Sequence, residues 1–206
     1  MTPRQTYDQL LAQKLIIEFE KRNFTGYFCE SKEAALQKAL EQLEPGCRVS
    51  HGGSETLHEI GLIDALKNGS YDYLDPLAGA PADMAKTARD ALAADCFFMG
   101  SNAITLAGEL VNVDGIGNRL AGLMFGPSHV VVIAGLNKVV ANVDAALTRI
   151  KTRAAPLILL KFKRECPDFD SLLTTAADAY GQLAVTNHSP VKGRICIILV
   201  GEDLGY

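Results

Sequence analysis

Residues 94–140 read ADCFFMGSNAITLAGELVNVDGIGNRLAGLMFGPSHVVVIAGLNKVV, and two apolar runs inside them set the fold class. Cys96 to Met99 and Val130 to Ala134 are short and continuous, with no polar residue alternating through them. A strand with one face in water alternates, whereas a strand covered on both faces need not, and that is the habit of strands inside a parallel sheet. Ile195 to Val200 is a third run of the same kind, predicted as a strong last strand.

The flanks repeat one rhythm of strand, turn and helix. Leu10, Leu11, Ile16, Ile17 and Phe19 recur at near-helical spacing, which predicts an amphipathic N-terminal helix from Gln5 to Arg22. A β-rich run from Phe24 to Cys29 follows, and Ser31 is placed to cap a second helix ending near Pro45-Gly46. Then come a strand from Cys47 to Ser50, a helix from Thr56 to Asn68, a strand from Tyr71 to Leu74 and a helix from Ala82 to Ala93. Between the two deciding runs, Ile104 to Val113 reads as extended with a tight turn near Ala107-Gly108, and Asn118 to Phe125 as a short helix. A further helix is predicted from Val139 to about Arg153, and the stretch from Arg164 to Asn187 reads as a surface excursion. The expectation is a single α/β domain over residues 1–206, a mostly parallel central sheet with helices on both faces.

Composition narrows the function classes. The chain has 206 residues, 48% of them hydrophobic, enough to bury one sizeable core. Its 20 Lys and Arg against 24 Asp and Glu give a net charge of −4, so no positive field attracts nucleic acid. The first residues hold no uninterrupted apolar stretch of signal-peptide or membrane-span length, so a cytoplasmic protein with no membrane partner is expected. Cys29, Cys47, Cys96, Cys166 and Cys196 are far apart and form no CxxC pair, and the four histidines lack ligand spacing, so no metal site is expected. Self-association is expected, through the N-terminal helix and the strand from Ile195 to Val200.

Four loops carry the candidate chemistry. His51, Gly52, Gly53, Ser54, Glu55 and Thr56 follow a strand and open a helix, a geometry suited to an anion or, equally, a glycine turn with Ser54 or Thr56 as a cap. This stretch lacks the GxGxxG spacing of a dinucleotide site and the lysine of a P-loop, so no cofactor is expected. Asn102 and Thr105 follow the strand from Cys96, either as an ordinary polar loop or as part of a site at the carboxyl end where open α/β sheets bind ligands. Asn112, Asp114, Gly117, Asn118 and Arg119 form the densest polar cluster, in which an arginine beside a carboxylate and two amides can hold a carboxylate or phosphate, or else simply cap the helix from Asn118 to Phe125 and form one surface ion pair. Asn137 and Lys138 follow the strand from Val130, placing Lys138 at the same sheet edge.

The ordered segments VSHGGSETLHEIGL at 49–62, residues 94–127, VVVIAGLNKVV at 130–140 and GRICIILVGEDLGY at 193–206 together resemble the lactate-utilisation (LUD) domain family. The resemblance runs over nearly the whole chain, with motif order and spacing kept. It implies a fold like those of the sugar-phosphate isomerases and coenzyme A transferases (NagB/RpiA/CoA transferase-like). It also implies a setting of L-lactate oxidation beside iron–sulfur subunits. Short relatives often carry a cysteine-rich stretch before the terminal strand; here Cys166 stands alone between residues 160 and 190, which argues against a metal cluster at that place.

Three functional readings stand. The first is a component of small-carboxylate utilisation that binds an anionic metabolite between the loops. The second is an isomerase or acyl-transfer enzyme using Glu55, Glu109 or Asp114 as nucleophile or base, with Lys138 or Arg119 stabilising developing negative charge. The third is a ligand-sensing or scaffold subunit without turnover.

Overall fold

The computed structural model describes residues 1–165 and 181–206. In chain order its first half runs α1 (Pro3–Glu20), β1 (Thr25–Cys29), α2 (Lys32–Leu40), β2 (Arg48–His51), α3 (Glu55–Glu59), α4 (Leu62–Asn68), β3 (Asp72–Leu74) and α5 (Pro81–Asp90). Then follow β4 (Cys96–Gly100), β5 (Ala103–Thr105), β6 (Leu110–Asp114), α6 (Asn118–Met124), β7 (His129–Gly135), β8 (Val139–Val140), α7 (Val143–Arg149), α8 (Ala155–Glu165), β9 (Gln182–Thr186) and β10 (Ile195–Val200).

Six strands form one sheet in the order β1-β10-β7-β4-β2-β3, and every pairing in it is parallel. The three continuous apolar runs are its centre, and their residues serve two cores by turns. Val131, Ile133, Cys196, Ile198 and Val200 join Ala35, Leu57, Leu62 and Leu66 of α2, α3 and α4. Val130, Val132, Ala134, Ile195, Ile197 and Leu199 join Ala12, Leu15 and Phe19 of α1 and Leu123 of α6. Each strand residue therefore buries its side chain on one face or the other, which is why no polar residue interrupts the runs. The fold class expected from the sequence is the one observed.

A smaller sheet, in the order β8-β5-β6-β9, lies over the α1 side. β5 and β6 are an antiparallel hairpin turned at Gly108, whose φ of 88° suits glycine. Ile104 and Leu110 of this hairpin enter the α1-side core, while Ala103, Val111 and Val113 pack on Ala146 and Ile150 at and just beyond α7. Arg194, just before β10, donates to the carbonyls of Gly122, Leu123 and Pro127 and so closes the C-terminal end of α6.

The chain leaves β2 through α3 and α4 on one face and leaves β4 through the small sheet and α6 on the other. The carboxyl ends of β2 and β4 are thus a topological switch point, where open α/β sheets form a crevice.

Several boundaries differ from the expectations. The helix from Thr56 to Asn68 is two helices, broken at Gly61, which adopts φ 78°. The helix expected from Val139 starts at Val143, because Val139 and Val140 pair with β5 and Asn142 caps the helix by accepting from the Ala145 amide at 2.9 Å. Residues 182–186, read as part of a surface excursion, are β9, paired along β6. β10 is hydrogen-bonded on both sides and fully buried, so it offers no surface for self-association; α1 does expose Tyr7, Leu10 and Ile17. Cys166 lies outside the described residues. No described helix is long and apolar enough to cross a membrane.

Candidate functional site

Arg119, one residue into α6, organises the crevice. Its side chain is 8% exposed, and its Nε donates to Asp114 Oδ1 at 3.1 Å. Nη1 donates to the Gly100 carbonyl and to Asn112 Oδ1, both at 2.9 Å, while Nη2 donates to Asn102 Oδ1 at 2.9 Å and to the Val113 carbonyl at 2.6 Å. A guanidinium has five N–H groups, and these acceptors occupy all five. Asp114 is equally committed, its Oδ2 accepting from the Leu120 amide at 2.8 Å. The expected pairing of Asp114 with Arg119 is therefore present, but Arg119 welds the end of β4, the end of β6 and the start of α6 together rather than offering donors to a ligand.

The two asparagines of the cluster tie the same loops. Asn102 Oδ1 also accepts from the Val113 amide, and Asn112 Oδ1 from the Asn102 amide, both at 3.0 Å. Gly52 is where Arg119 comes closest to the β2 loop: a Cβ there would stand 2.8 Å from Arg119 Cγ. Ser54 lies against Gly100 in the same way and makes no capping bond to α3, so the short helix is not capped by this hydroxyl. At Gly53 a Cβ would meet nothing within 4 Å.

Lys138 follows β7, as expected, but is only 4% exposed. Its Nζ donates to Oγ1 of the fully buried Thr56 at 2.8 Å, and among the described residues no carboxylate lies within ion-pair distance of it. Burial, with Arg149 and Arg119 adding repulsion and Glu59 opposing them, pushes the Lys138 pKa down to about 7. The segment after β10 covers this group. Gly205 takes φ 59° and packs on Lys138 Nζ and Thr56 Oγ1, and its amide donates to Glu59 Oε2 at 2.7 Å. Asn137 holds that segment down through both its side-chain atoms, bonded to the backbone of Leu204 at 3.2 and 3.3 Å.

Arg149, at the end of α7, was not singled out by sequence, where it reads as an ordinary basic residue in a last helical turn. Its Nη1 donates to the Asn102 carbonyl at 2.7 Å and to a backbone oxygen of Tyr206 at 3.0 Å, while among the described residues its buried Nη2 has no acceptor. Asn112 Nδ2, on a fully buried side chain, likewise has none. Among the described residues these two buried donors, both on residues bonded to Asn102, have no protein acceptor and could each take one from a ligand or water.

Other expected site residues lie elsewhere or are engaged. Thr105 and Glu109 sit at the tip of the β5–β6 hairpin, bonded to each other at 2.8 Å, where Gly108 packs on Glu18 and Phe19. Arg22 reaches the Ala107 carbonyl there, at the end of the sheet where β1 begins, away from the crevice. Glu55 is paired with Lys161. His51 is buried, stacked on Tyr73 and hydrogen-bonded to its hydroxyl at 2.8 Å, and burial lowers its pKa, against the pull of Asp75. Asn118 opens α6 beside Gly117, whose φ of 84° and contact with Gln182 require glycine. The carboxylates proposed as nucleophile or base are thus removed from the crevice or already bonded.

Two open grooves, of about 800 and 660 Å³, run between α6 and β9 and between α1 and β8. Neither is lined by Lys138, Arg149 or Asn112. Their walls are mainly apolar and lack convergent buried polar groups, so the crevice chemistry, not groove size, places the candidate site.

A LUD domain family model matches residues 12–200. No curated protein is similar enough to match. Among solved structures, a DUF162 family protein from Deinococcus radiodurans is 11% identical with a TM-score of 0.57, covering 94% of this chain and 98% of that one. Lesser likenesses are to ribose 5-phosphate isomerase from Plasmodium falciparum, 19% identical with a TM-score of 0.35, over 54% of this chain and 53% of that one. The eIF2B delta subunit from Chaetomium thermophilum is 23% identical with a TM-score of 0.35, over 53% and 48%. With the family model matched along nearly its whole length, the chain belongs to the LUD domain family.

Proposed function

We propose that this protein serves lactate or related small-carboxylate utilisation by binding an anionic metabolite at the switch-point crevice, between Lys138, Arg149 and Asn112. The family supports a role in lactate utilisation at the level of the family. The observation that carries the crevice reading is the pair of buried, acceptor-less donors, Arg149 Nη2 and Asn112 Nδ2. A carboxylate supplies the acceptor oxygens that both lack, and Arg149 carries the compensating charge. Because Arg119 and Asp114 already neutralise each other at 3.0 Å, the cations that support this reading are Arg149 and, when protonated, Lys138. The partners that accompany this reading are the iron–sulfur subunits of a lactate-oxidising complex in the cytoplasm, with self-association through the exposed side of α1.

The test is calorimetric titration with L-lactate, other small carboxylates, phosphorylated sugars and coenzyme A. A charge-assisted hydrogen bond is worth about 1.5–3 kcal/mol, so Arg149→Met should weaken binding of the best ligand by roughly ten- to a hundredfold. Equal affinity in parent and variant places the ligand elsewhere.

A further inference from the structure

The group left without a structural task is Lys138. A lysine kept only for stability pairs with a carboxylate or reaches water along its stem. Lys138 does neither among the described residues: it is 4% exposed, and its hydrogen-bond partner there is the neutral hydroxyl of Thr56. Gly205 packs on that amine while the next residue, Tyr206, accepts from Arg149, so consecutive residues bring the amine and the arginine into one neighbourhood.

Building on the anion-site reading above, we propose that Lys138 is a nucleophile that forms an imine with the carbonyl carbon of a 2-oxo acid, whose carboxylate is held by Arg149 and Asn112. A 2-oxo acid is the smallest molecule carrying both features that the site answers, an electrophilic carbonyl and an adjacent anionic group. The amine must be unprotonated to attack, and burial beside two arginines favours that form near neutral pH. In the step, the Nζ lone pair forms the C–N bond while the carbonyl π electrons move to oxygen. Both amine hydrogens then pass to that oxygen, which leaves as water, and no oxidant or reductant is consumed. Thr56 Oγ1, 2.8 Å from Nζ, is positioned to relay those protons.

The experiment treats the full chain with pyruvate and sodium cyanoborohydride, which reduces an imine to a stable secondary amine, and locates the adduct by intact mass and peptide mapping. Parallel samples receive L-lactate, which has no carbonyl, or acetone, which has no carboxylate. The expected result is one pyruvate adduct per chain, mapped to Lys138, at least tenfold less labelling with acetone and none with lactate. Lys138→Arg should abolish it, and mapping on the parent chain decides the point even if that variant does not fold. If calorimetry shows carboxylate binding yet no adduct maps to Lys138, the imine is refuted and the anion site stands. If carboxylates neither bind nor label, both fall. Labelling spread over surface lysines also overturns the proposal.

Discussion

Replacing Arg119 by Met removes one charge and keeps most of the aliphatic stem. The side chains of Arg119 and Asp114 are 8% and 10% exposed, so solvent screens little of their interaction. Without the guanidinium, the Asp114 carboxylate keeps, among the described residues, its bond from the Leu120 amide, and the Gly100 and Val113 carbonyls lose this donor. Leaving one member of a buried ion pair costs about 3–5 kcal/mol. That is a large share of the roughly 5–15 kcal/mol by which a domain is stable. In a chain of this size each kcal/mol moves the melting temperature by about 2–4 °C, so the expected loss is roughly 6–20 °C by calorimetry. The double variant Arg119→Met with Asp114→Asn should regain part of it, since no uncompensated charge remains. A single variant melting within about 2 °C of the parent would refute the view of Arg119 as the weld of the crevice.

Two further predictions follow from the same packing. Lys138 titrates near 7 in the folded chain and near 10.5 unfolded, so at and below pH 7 folding carries the full cost of a buried charge, and that cost fades as pH rises toward 10. Urea midpoints of the parent should therefore gain on those of Lys138→Met between pH 7 and 10, with a slope approaching about 1.4 kcal/mol per pH unit; parallel curves would refute the buried-charge assignment. Gly52→Ala should cost about 1–3 kcal/mol in urea unfolding, because its Cβ would stand 2.8 Å from Arg119 Cγ and Arg119 is bonded too fully to give way, whereas Gly53→Ala, in open space, should be neutral.

The large sheet was legible because burial on both faces leaves a mark in one dimension: Cys96 to Met99, Val130 to Ala134 and Ile195 to Val200 have no polar residue to misplace. Helix breaks were less so, since Gly61 interrupts a pattern whose apolar residues, Leu57, Ile60, Leu62, Ile63 and Leu66, continue across it into the same core. The crevice was legible as far as position goes, because residues after a parallel strand must emerge at its carboxyl edge. A hairpin defeats that rule: β5 starts at the edge and carries Thr105 and Glu109 back toward α1 within a few residues. Arg149 was illegible for the opposite reason. It belongs to a helix behind the small sheet, and only the packing of α7 on β5 and β6 brings its guanidinium to Asn102.

The two cations read from sequence as equivalent are made different by their neighbours. Arg119 cannot lose its proton at accessible pH, so its burial is tolerable only if acceptors surround it, and the loops supply a carboxylate, two amide oxygens and two carbonyls. Lysine has the other option of shedding its charge, and a site that among the described residues gives it a hydroxyl and no ion-paired carboxylate favours that option. An exchange of the two would fail on both counts: a lysine at position 119 could not reach five acceptors, and an arginine at position 138 would stay charged beside Arg149. The rigid arginine and the lysine whose burial favours loss of its proton are therefore complementary parts of one arrangement. The first fixes where the crevice walls stand, and the second sets beside them the amine proposed above as a nucleophile.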